Sequence, residues 1–419
     1  MTCRAKRCQN ERARKPPGKI SPKDTMQQDL ALKPGVKSNW PAHQADEIQA
    51  AIRVLAEGRV NGLVHGHETA AFAEEFAKFC GAPYGICMAN GTVTLEIGMR
   101  ALGIGHGDEV IVPARSFFAT ASCVLAVGAR PVFADIEESS HTIDPASVER
   151  LIGPRTRAVI CVHLAGWPCD MAKLRGVCDV HGLLLIEDCA QAHGARIAGR
   201  SVGTFGDIAS FSFCTDKIMS TGGEGGILLC RDEDVHERAW SLKDHGKNRQ
   251  KLSDSGGRPG QFRYVHDIPG TNARMTELQA AIGRVQLRKL PDWHAARCRN
   301  AGVLSQMLSG HRSLELPLPP ADVQHAWYKY YVTLAGDISR PSRERDRMIG
   351  ILIAKGIPCG SGSCPDMSRE LGVASFLPRR DGDLETARRV GERTIMFPVD
   401  HTLGRGDMEC IAETLRGIG

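Results

Sequence analysis

Short apolar runs alternate with helical stretches through the middle of the chain. The runs are EVIVPA (109–114), PVFADI (131–136), AVICVHL (158–164), LLLIED (183–188), IASFSF (208–213) and GILLC (226–230). Most of them are separated by segments whose apolar positions have helical spacing. This alternation is typical of a mostly parallel sheet with helices on both faces, so it predicts an α/β fold. Ligands of such a sheet are expected at the carboxyl ends of its strands.

The two ends of the chain show different patterns. Residues 44–104 read as helix-rich, and residues 272–308 form a long helical pattern that Pro291 is expected to interrupt. The aromatic run HAWYKYYVTL then predicts a strand, and two helical patterns follow it. We therefore predict a large domain over 40–299 and a smaller C-terminal α+β domain over 300–419.

Positive charge is concentrated at the beginning of the chain. The formal net charge is +5, but residues 1–25 carry most of the excess, with eight Lys and Arg against two acidic residues. The nearly neutral remainder lacks the basic surface of a nucleic-acid-binding protein, and no apolar run is long enough for a membrane helix. We predict a basic, disordered extension over 1–39 and prefer that interpretation to a polyanion-binding tail. The partners are expected to be small molecules.

The fifteen cysteines are scattered through apolar segments. No CxxC pair occurs, and CGSGSC (359–364) lacks a matching second pair, so structural zinc is not expected. Buried, reduced thiols in a cytoplasmic protein explain the pattern better. We therefore predict no metal centre.

One lysine stands between a strand-like run and a glycine cluster in SFSFCTDKIMSTGGEGG (210–226). A P-loop is excluded because Lys217 precedes the glycines and the segment continues into a strand. The other glycine cluster, LGIGHGDEV (102–110), precedes a strand, which excludes a dinucleotide-binding fingerprint. A covalent anchor for pyridoxal 5′-phosphate suits this lysine, because nearby glycines let the cofactor ring approach the backbone.

Three further features meet the requirements of that cofactor at strand-to-helix junctions. A carboxylate must keep the ring nitrogen protonated, and Glu187 and Asp188 end a buried strand. An aromatic side chain must cover the ring, and Phe117 and Phe118 follow another strand. Backbone N–H groups at a helix start must bind the phosphate, and NGT (90–92) begins a helix. With the lysine, four separate requirements are met.

Several motifs also occur in the order found in one enzyme family. The segment from NGTVTLEIG to PVFADI (90–136), EDCAQAHGA (187–195), the lysine segment and GTNARMTELQAAIGRVQL (270–287) resemble the DegT/StrS family of sugar aminotransferases. The resemblance covers about residues 40–419. It implies a three-layer, pyridoxal-phosphate-dependent fold of type I with a mostly parallel central sheet.

The resemblance also implies the roles of individual residues. It makes Lys217 the catalytic residue that binds the cofactor covalently and Asp188 the catalytic partner of the ring nitrogen. It places Asn272 at the phosphate of the neighbouring subunit, so it implies a homodimer with shared active sites. The implied cofactor-binding residues are Gly91, Thr92, Phe117, Asp188, Gln191, Ser212, Lys217 and Asn272.

The activity implied by the resemblance is transfer of an amino group from glutamate or glutamine to a keto sugar, usually a nucleotide-linked one. Pyridoxamine 5′-phosphate is the alternate form of the cofactor. A keto-cyclitol (inosose) acceptor is an alternative, and so is a non-catalytic regulatory protein that binds the cofactor. His163, His193 and His245 are candidate substrate contacts, although a structural role is favoured for the first two.

Overall fold

The computed structural model describes residues 35–62, 66–253 and 263–418. Residues 1–34, which make up most of the predicted basic extension, lie outside the described residues. Within the described ranges, no helix has both the length and the apolar composition that crossing a membrane requires. The cysteines there are free thiols, and each of them is buried or half-buried.

The folded chain includes residues that the sequence assigned to the extension. Val36 is buried in the core of the C-terminal region. Ser38 donates a hydrogen bond to Asp400 with a distance of 2.7 Å. Residues 35–39 therefore pack against the C-terminal part of the chain, and the prediction of disorder is wrong for them.

Strands occur along most of the described chain. They are β1 (Tyr84–Met88), β2 (Glu109–Pro113), β3 (Arg130–Ala134), β4 (Thr156–Val162), β5 (Leu184–Asp188), β6 (Arg196–Ile197), β7 (Arg200–Ser201), β8 (Ile208–Ser212), β9 (Gly226–Cys230), β10 (Leu314–Glu315), β11 (Val323–Gln324), β12 (Tyr330–Leu334) and β13 (Thr394–Phe397). Each strand of the alternating pattern appears where the sequence predicts it.

The large sheet has the strand order β1-β9-β8-β5-β4-β2-β3. Its neighbours from β3 to β8 are parallel, while β9 is antiparallel to both β8 and β1. Val110 and Val112 enter the core on one face, whereas Ile111 enters the core on the other, because successive side chains alternate. The predicted, mostly parallel α/β sheet is confirmed, and its parallel strands end at one common edge.

Helices cover both faces of this sheet, and others pack in the C-terminal region. They are α1 (Ala45–Glu57), α2 (Glu68–Cys80), α3 (Gly91–Ala101), α4 (Ala119–Ala126), α5 (Pro145–Leu151), α6 (Met171–His181), α7 (Glu233–Lys243), α8 (Arg249–Ser253), α9 (Glu277–Leu308), α10 (Pro341–Ala354), α11 (Leu371–Ala374), α12 (Glu385–Gly391) and α13 (Arg405–Arg416).

The longest helix, α9, continues through Pro291, so the predicted interruption is wrong. A capping box formed by Thr276 and Gln279 starts the helix. Proline removes one backbone hydrogen bond inside a helix. However, Leu290 and Trp293 on either side of it are buried, and α9 packs against α1, α2 and α13. Tertiary packing along the whole helix therefore outweighs the local cost.

The C-terminal region contains a second, antiparallel sheet formed by β10, β12 and β13. Its core also includes side chains of α10, α13 and the second half of α9. The chain then returns to the large sheet, because Met367, Val373, Leu384 and Val390 pack into the core beneath that sheet. The small α+β unit is present, while a division of the chain at residue 300 stays a prediction.

Candidate active site

The ends of β1, β2, β5 and β8 border one cavity of about 640 Å³. Residues far apart in the sequence meet there because the carboxyl ends of these strands lie at the same edge of the sheet. Seven of the predicted cofactor-binding residues line this cavity: Gly91, Thr92, Phe117, Asp188, Gln191, Ser212 and Lys217.

One wall of the cavity is the N-terminus of α3. The side chain of Asn90 caps this helix by accepting a hydrogen bond from the backbone N–H of Val93 (3.0 Å). The first N–H groups, those of Gly91 and Thr92, have no acceptor within the helix, so they suit an anion. A Cβ atom on Gly91 would lie 2.7 Å from Cβ of Ser212, so only glycine leaves room for this close approach. These residues fit a phosphate group.

A buried carboxylate lies at the end of β5. Asp188 is 6% exposed, and its two oxygens accept hydrogen bonds from the Thr120 hydroxyl and the Ala190 backbone N–H, both at 3.1 Å. Burial raises the pKa of Asp188, because a charged carboxylate loses its water there. A cation next to this side chain would reverse that effect. The protonated ring nitrogen of pyridoxal 5′-phosphate is such a cation.

Two other predicted residues have suitable orientations. The side-chain oxygen of Gln191 accepts a hydrogen bond from Ala165 N (2.6 Å), which leaves the amide NH₂ group available on the cavity side. Phe117 is 66% exposed in the cavity, whereas Phe118 packs against the core. This contrast favours Phe117 as the aromatic side chain that covers a ring.

Lys217 lies in the loop after β8, where several contacts fix its position. Its backbone N–H donates to Cys214 O (3.0 Å), and its carbonyl oxygen accepts from Trp40 Nε1 (2.7 Å). Its Nζ atom lies 3.3 Å from Asp216 and 5.1 Å from the ring centre of Tyr328. A primary amine, a buried carboxylate and an anion-binding helix end thus share one cavity, and this set fits pyridoxal 5′-phosphate.

Two of the predicted histidines lie outside the cavity wall. His163 is fully buried and pairs with Glu187 (3.1 Å), whose oxygens also accept backbone N–H bonds from the turn at 203–206. His193 is fully buried beside Phe76, and burial lowers its pKa to about 3. Neither side chain has exposed surface that a substrate could contact, and both are enclosed by other protein side chains.

The other two predicted residues lie together on a different part of the surface. Asn272 forms a β-bridge with Asp244, and the backbone N–H of His245 donates to Thr271 O (2.9 Å). Both Asn272 and His245 are exposed, and neither is among the described residues that line the cavity of their own chain.

Sequence reasoning missed part of the cavity wall. Tyr328, Lys329 and Tyr331 line it from the segment before and within β12, and Asp216 and Glu224 line it near the lysine. The segment HAWYKYYVTL was predicted as a strand, but tyrosine is common in strands, so its composition did not mark it as part of the site. Only the fold shows that this segment reaches the large sheet.

The sequence model of the DegT/DnrJ/EryC1/StrS aminotransferase family matches residues 41–416 of this chain. A dTDP-3-amino-3,4,6-trideoxy-alpha-D-glucose transaminase of Streptomyces venezuelae is 37% identical over 381 residues, which cover 91% of this chain and 94% of the relative. An L-glutamine:2-deoxy-scyllo-inosose aminotransferase of Streptoalloteichus tenebrarius is 38% identical over 304 residues, with 71% of each chain covered.

Solved structures show the same likeness. An aminotransferase from Psychrobacter cryohalolentis superimposes with a TM-score of 0.87 and 41% sequence identity. The match covers 91% of this chain and 98% of that one. The similarity therefore extends over both the large sheet and the C-terminal region.

Proposed function

The chain belongs to the DegT/DnrJ/EryC1/StrS aminotransferase family, and on that premise we propose that it transfers an amino group from glutamate or glutamine to a nucleotide-linked keto sugar. The observation that carries the proposal is the meeting of Lys217, Asp188 and the N-terminus of α3 in one cavity. The transaminase of S. venezuelae, which covers 91% of this chain, supports the substrate class. The free thiols favour a cytoplasmic location.

The family uses pyridoxal 5′-phosphate, which supplies a reactive aldehyde and a ring that withdraws electrons from the bonds around the amino group. The first N–H groups of α3 and the Ser212 hydroxyl would bind its phosphate. Asp188 would hold the proton on the ring nitrogen, and Gln191 would donate a hydrogen bond to the ring hydroxyl. Phe117 would cover one face of the ring and exclude water there.

Lys217 is the residue that moves the proton in this proposal. It would hold the cofactor covalently between reaction cycles, and its amine would be released when the amino donor binds. The freed Nζ then takes a proton from Cα of the donor as a general base. Its backbone contacts with Cys214 and Trp40 keep the amine in the cavity throughout.

A panel of amino acceptors tests the substrate class. The pyridoxamine form of the protein is mixed with nucleotide-linked keto sugars, free keto sugars and keto-cyclitols, and the return of the pyridoxal absorbance is followed. We expect the fastest return with a nucleotide-linked keto sugar. Fastest return with a keto-cyclitol would favour the second candidate function, amination of a keto-cyclitol, which the similarity to the S. tenebrarius relative supports. The pyridoxamine form is itself made by adding glutamate or glutamine to the pyridoxal form. Failure of both amino donors to convert the pyridoxal form would contradict the proposal and favour a regulatory protein.

We further propose a homodimer in which each subunit completes the active site of the other. Asn272 and His245 are exposed and lie outside the cavity of their own chain, although the family resemblance places Asn272 at a phosphate. A symmetric pair of subunits resolves this conflict, since a twofold interface presents the same segment to both partners.

Subunit complementation tests the shared site. Lys217→Ala and Asn272→Ala chains are co-expressed, and the randomly paired population is purified. Each mixed dimer has one site with both native residues, so a randomly paired population is expected to recover about a quarter of the native sites. The measurement is amino transfer by the mixture compared with each variant alone. Activity no higher than the sum of the separate variants would contradict shared sites.

A further inference from the structure

The residue before the catalytic lysine has a side chain in the same cavity. Asp216 lines the cavity, and its Oδ1 atom lies 3.3 Å from Nζ of Lys217. The Lys217 side chain is only 15% exposed, whereas that of Asp216 is 59% exposed. An ion pair between neighbours of this exposure contributes little when both side chains are free to move. Whether the carboxylate is held in place therefore decides its importance.

Tyr328 holds that carboxylate. Its hydroxyl donates to Oδ2 of Asp216 with a distance of 2.5 Å, so the two carboxylate oxygens contact different groups. Tyr328 itself is 7% exposed, and its backbone N–H donates to Ala165 O (3.0 Å). The tyrosine is thus fixed to the turn that also binds Gln191. It therefore fixes the position of the Asp216 carboxylate independently of Lys217.

The ring of Tyr328 adds a second attraction. Nζ of Lys217 and Nζ of Lys329 each lie 5.1 Å from the centre of this ring, a distance at which a cation is attracted to an aromatic face. Burial opposes ionisation of Asp216, yet Lys217 and the Tyr328 hydroxyl together lower its pKa. Burial lowers the pKa of Lys329, so this second amine competes less strongly for the carboxylate.

We propose that Asp216 and Tyr328 bind the ammonium group of Lys217 whenever Nζ is not bonded to the cofactor. The inference rests on the proposed function, in which the freed Nζ takes one proton from the amino donor and becomes positively charged. Asp216 accepts a hydrogen bond from this ammonium group and stabilises its charge without taking the proton. Asp216 and Tyr328 are therefore positioning residues, and they return the amine to one place after each displacement.

The test measures the reactivity of Lys217 in the cofactor-free protein. An amine-selective acylating reagent is applied at mildly alkaline pH, and modification of the lysine peptide is followed by mass spectrometry. Asp216→Asn is expected to raise the acylation rate about three- to fivefold, because Nζ is no longer held in an ion pair with the neighbouring carboxylate. At about 1 M salt, where charges are screened within about 3 Å, the difference should shrink. A purely structural role would not depend on salt in this way.

The chain offers a matched control in Asp346. Arg345 and Asp346 form the same kind of ion pair between neighbours, with side-chain exposures of 15% and 63%, outside the cavity lining. Asp346→Asn should leave the acylation of Lys217 unchanged. An equal rate in Asp216→Asn and the native protein, or an equal rise in Asp346→Asn, overturns the inference.

A second variant covers the case in which Asp216→Asn does not fold. Tyr328→Phe keeps the ring but releases the carboxylate, so a smaller, salt-sensitive rise in acylation is expected, and no rise overturns the inference. Borohydride reduction of the holoenzyme reports separately on the proposed function. A cofactor adduct on Lys217 together with unchanged acylation in both variants overturns only the role of Asp216 and Tyr328. Absence of the adduct from native protein overturns the proposed function itself.

Discussion

Replacing Lys217 by alanine should abolish amino transfer, with a loss of about 10⁴-fold or more, because the change removes both the covalent anchor and the general base. The effect should fall on the chemical step. The phosphate-binding residues at the start of α3 and the Asp188 carboxylate are unchanged, so the cofactor should still bind without a covalent bond. Single-turnover transfer from glutamate or glutamine measures the first effect, and cofactor retention on gel filtration measures the second.

An exposed lysine provides the control for this variant. Lys355 lies at the end of α10, outside the cavity lining, and its replacement by alanine should leave transfer and cofactor content unchanged. Borohydride should fix the cofactor to the Lys355→Ala protein and to the native protein, but not to Lys217→Ala. Substantial transfer by Lys217→Ala, or a borohydride adduct on another lysine, would show that the reactive amine has been assigned wrongly.

Most of the large sheet could be predicted because its strands are marked by patterns within short segments of the sequence. Six of its seven strands are continuous apolar runs, and most of these runs are separated by helical segments, so the parallel arrangement and the edge for ligands follow from general rules. The seventh strand, β1, was missed because it lies in a stretch that read as helix-rich. The same rules placed Lys217, Asp188, Phe117 and Gly91 at strand ends, and those residues line one cavity. Their individual roles stay predictions until the variants are measured.

The missed features depend on contacts between distant segments. Pro291 is a local signal for a break, yet buried side chains on both sides of it keep α9 continuous. Tyr328 belongs to the C-terminal region, and only the folded chain shows its hydroxyl 2.5 Å from Asp216. His163 and His193 follow strands as Asp188 and Lys217 do, but burial separates a structural histidine from one that can reach a ligand. No pattern along the sequence carries that distinction.

Asp188→Asn should lower transfer by about 10²- to 10⁴-fold, since a neutral amide cannot stabilise the protonated ring nitrogen in the way a carboxylate does. The protein should still bind the cofactor covalently, because Lys217 is unchanged. Amino transfer and borohydride trapping on the same preparation separate these two results. A variant with nearly native transfer would contradict the pairing of Asp188 with the ring nitrogen.

The same substitution should stabilise the cofactor-free protein. Burial raises the pKa of Asp188 above its unfolded value of about 4, so the folded state favours the neutral carboxyl group. That contribution to the free energy of unfolding is fully present below pH ~4 and is lost as the pH rises through the folded pKa. The neutral amide of the variant has no such loss, so we expect the variant to exceed the native protein by on the order of 1 kcal/mol at neutral pH and to converge with it in acid.

Glu187→Gln is the matched control for this stability change. Glu187 precedes Asp188 on β5, but its carboxylate accepts backbone N–H bonds from Gly203, Phe205 and Gly206. A glutamine oxygen cannot accept all of them, so this variant should be less stable than the native protein with or without cofactor. Saturation with cofactor should make the native protein more stable than Asp188→Asn, because the ring cation then pairs with the native carboxylate. The cofactor should not change the sign of the difference between the native protein and Glu187→Gln. Urea unfolding at several pH values measures these differences. A cofactor-free Asp188→Asn protein that is less stable than the native protein at neutral pH would refute the argument that burial of this charge is costly without the cofactor.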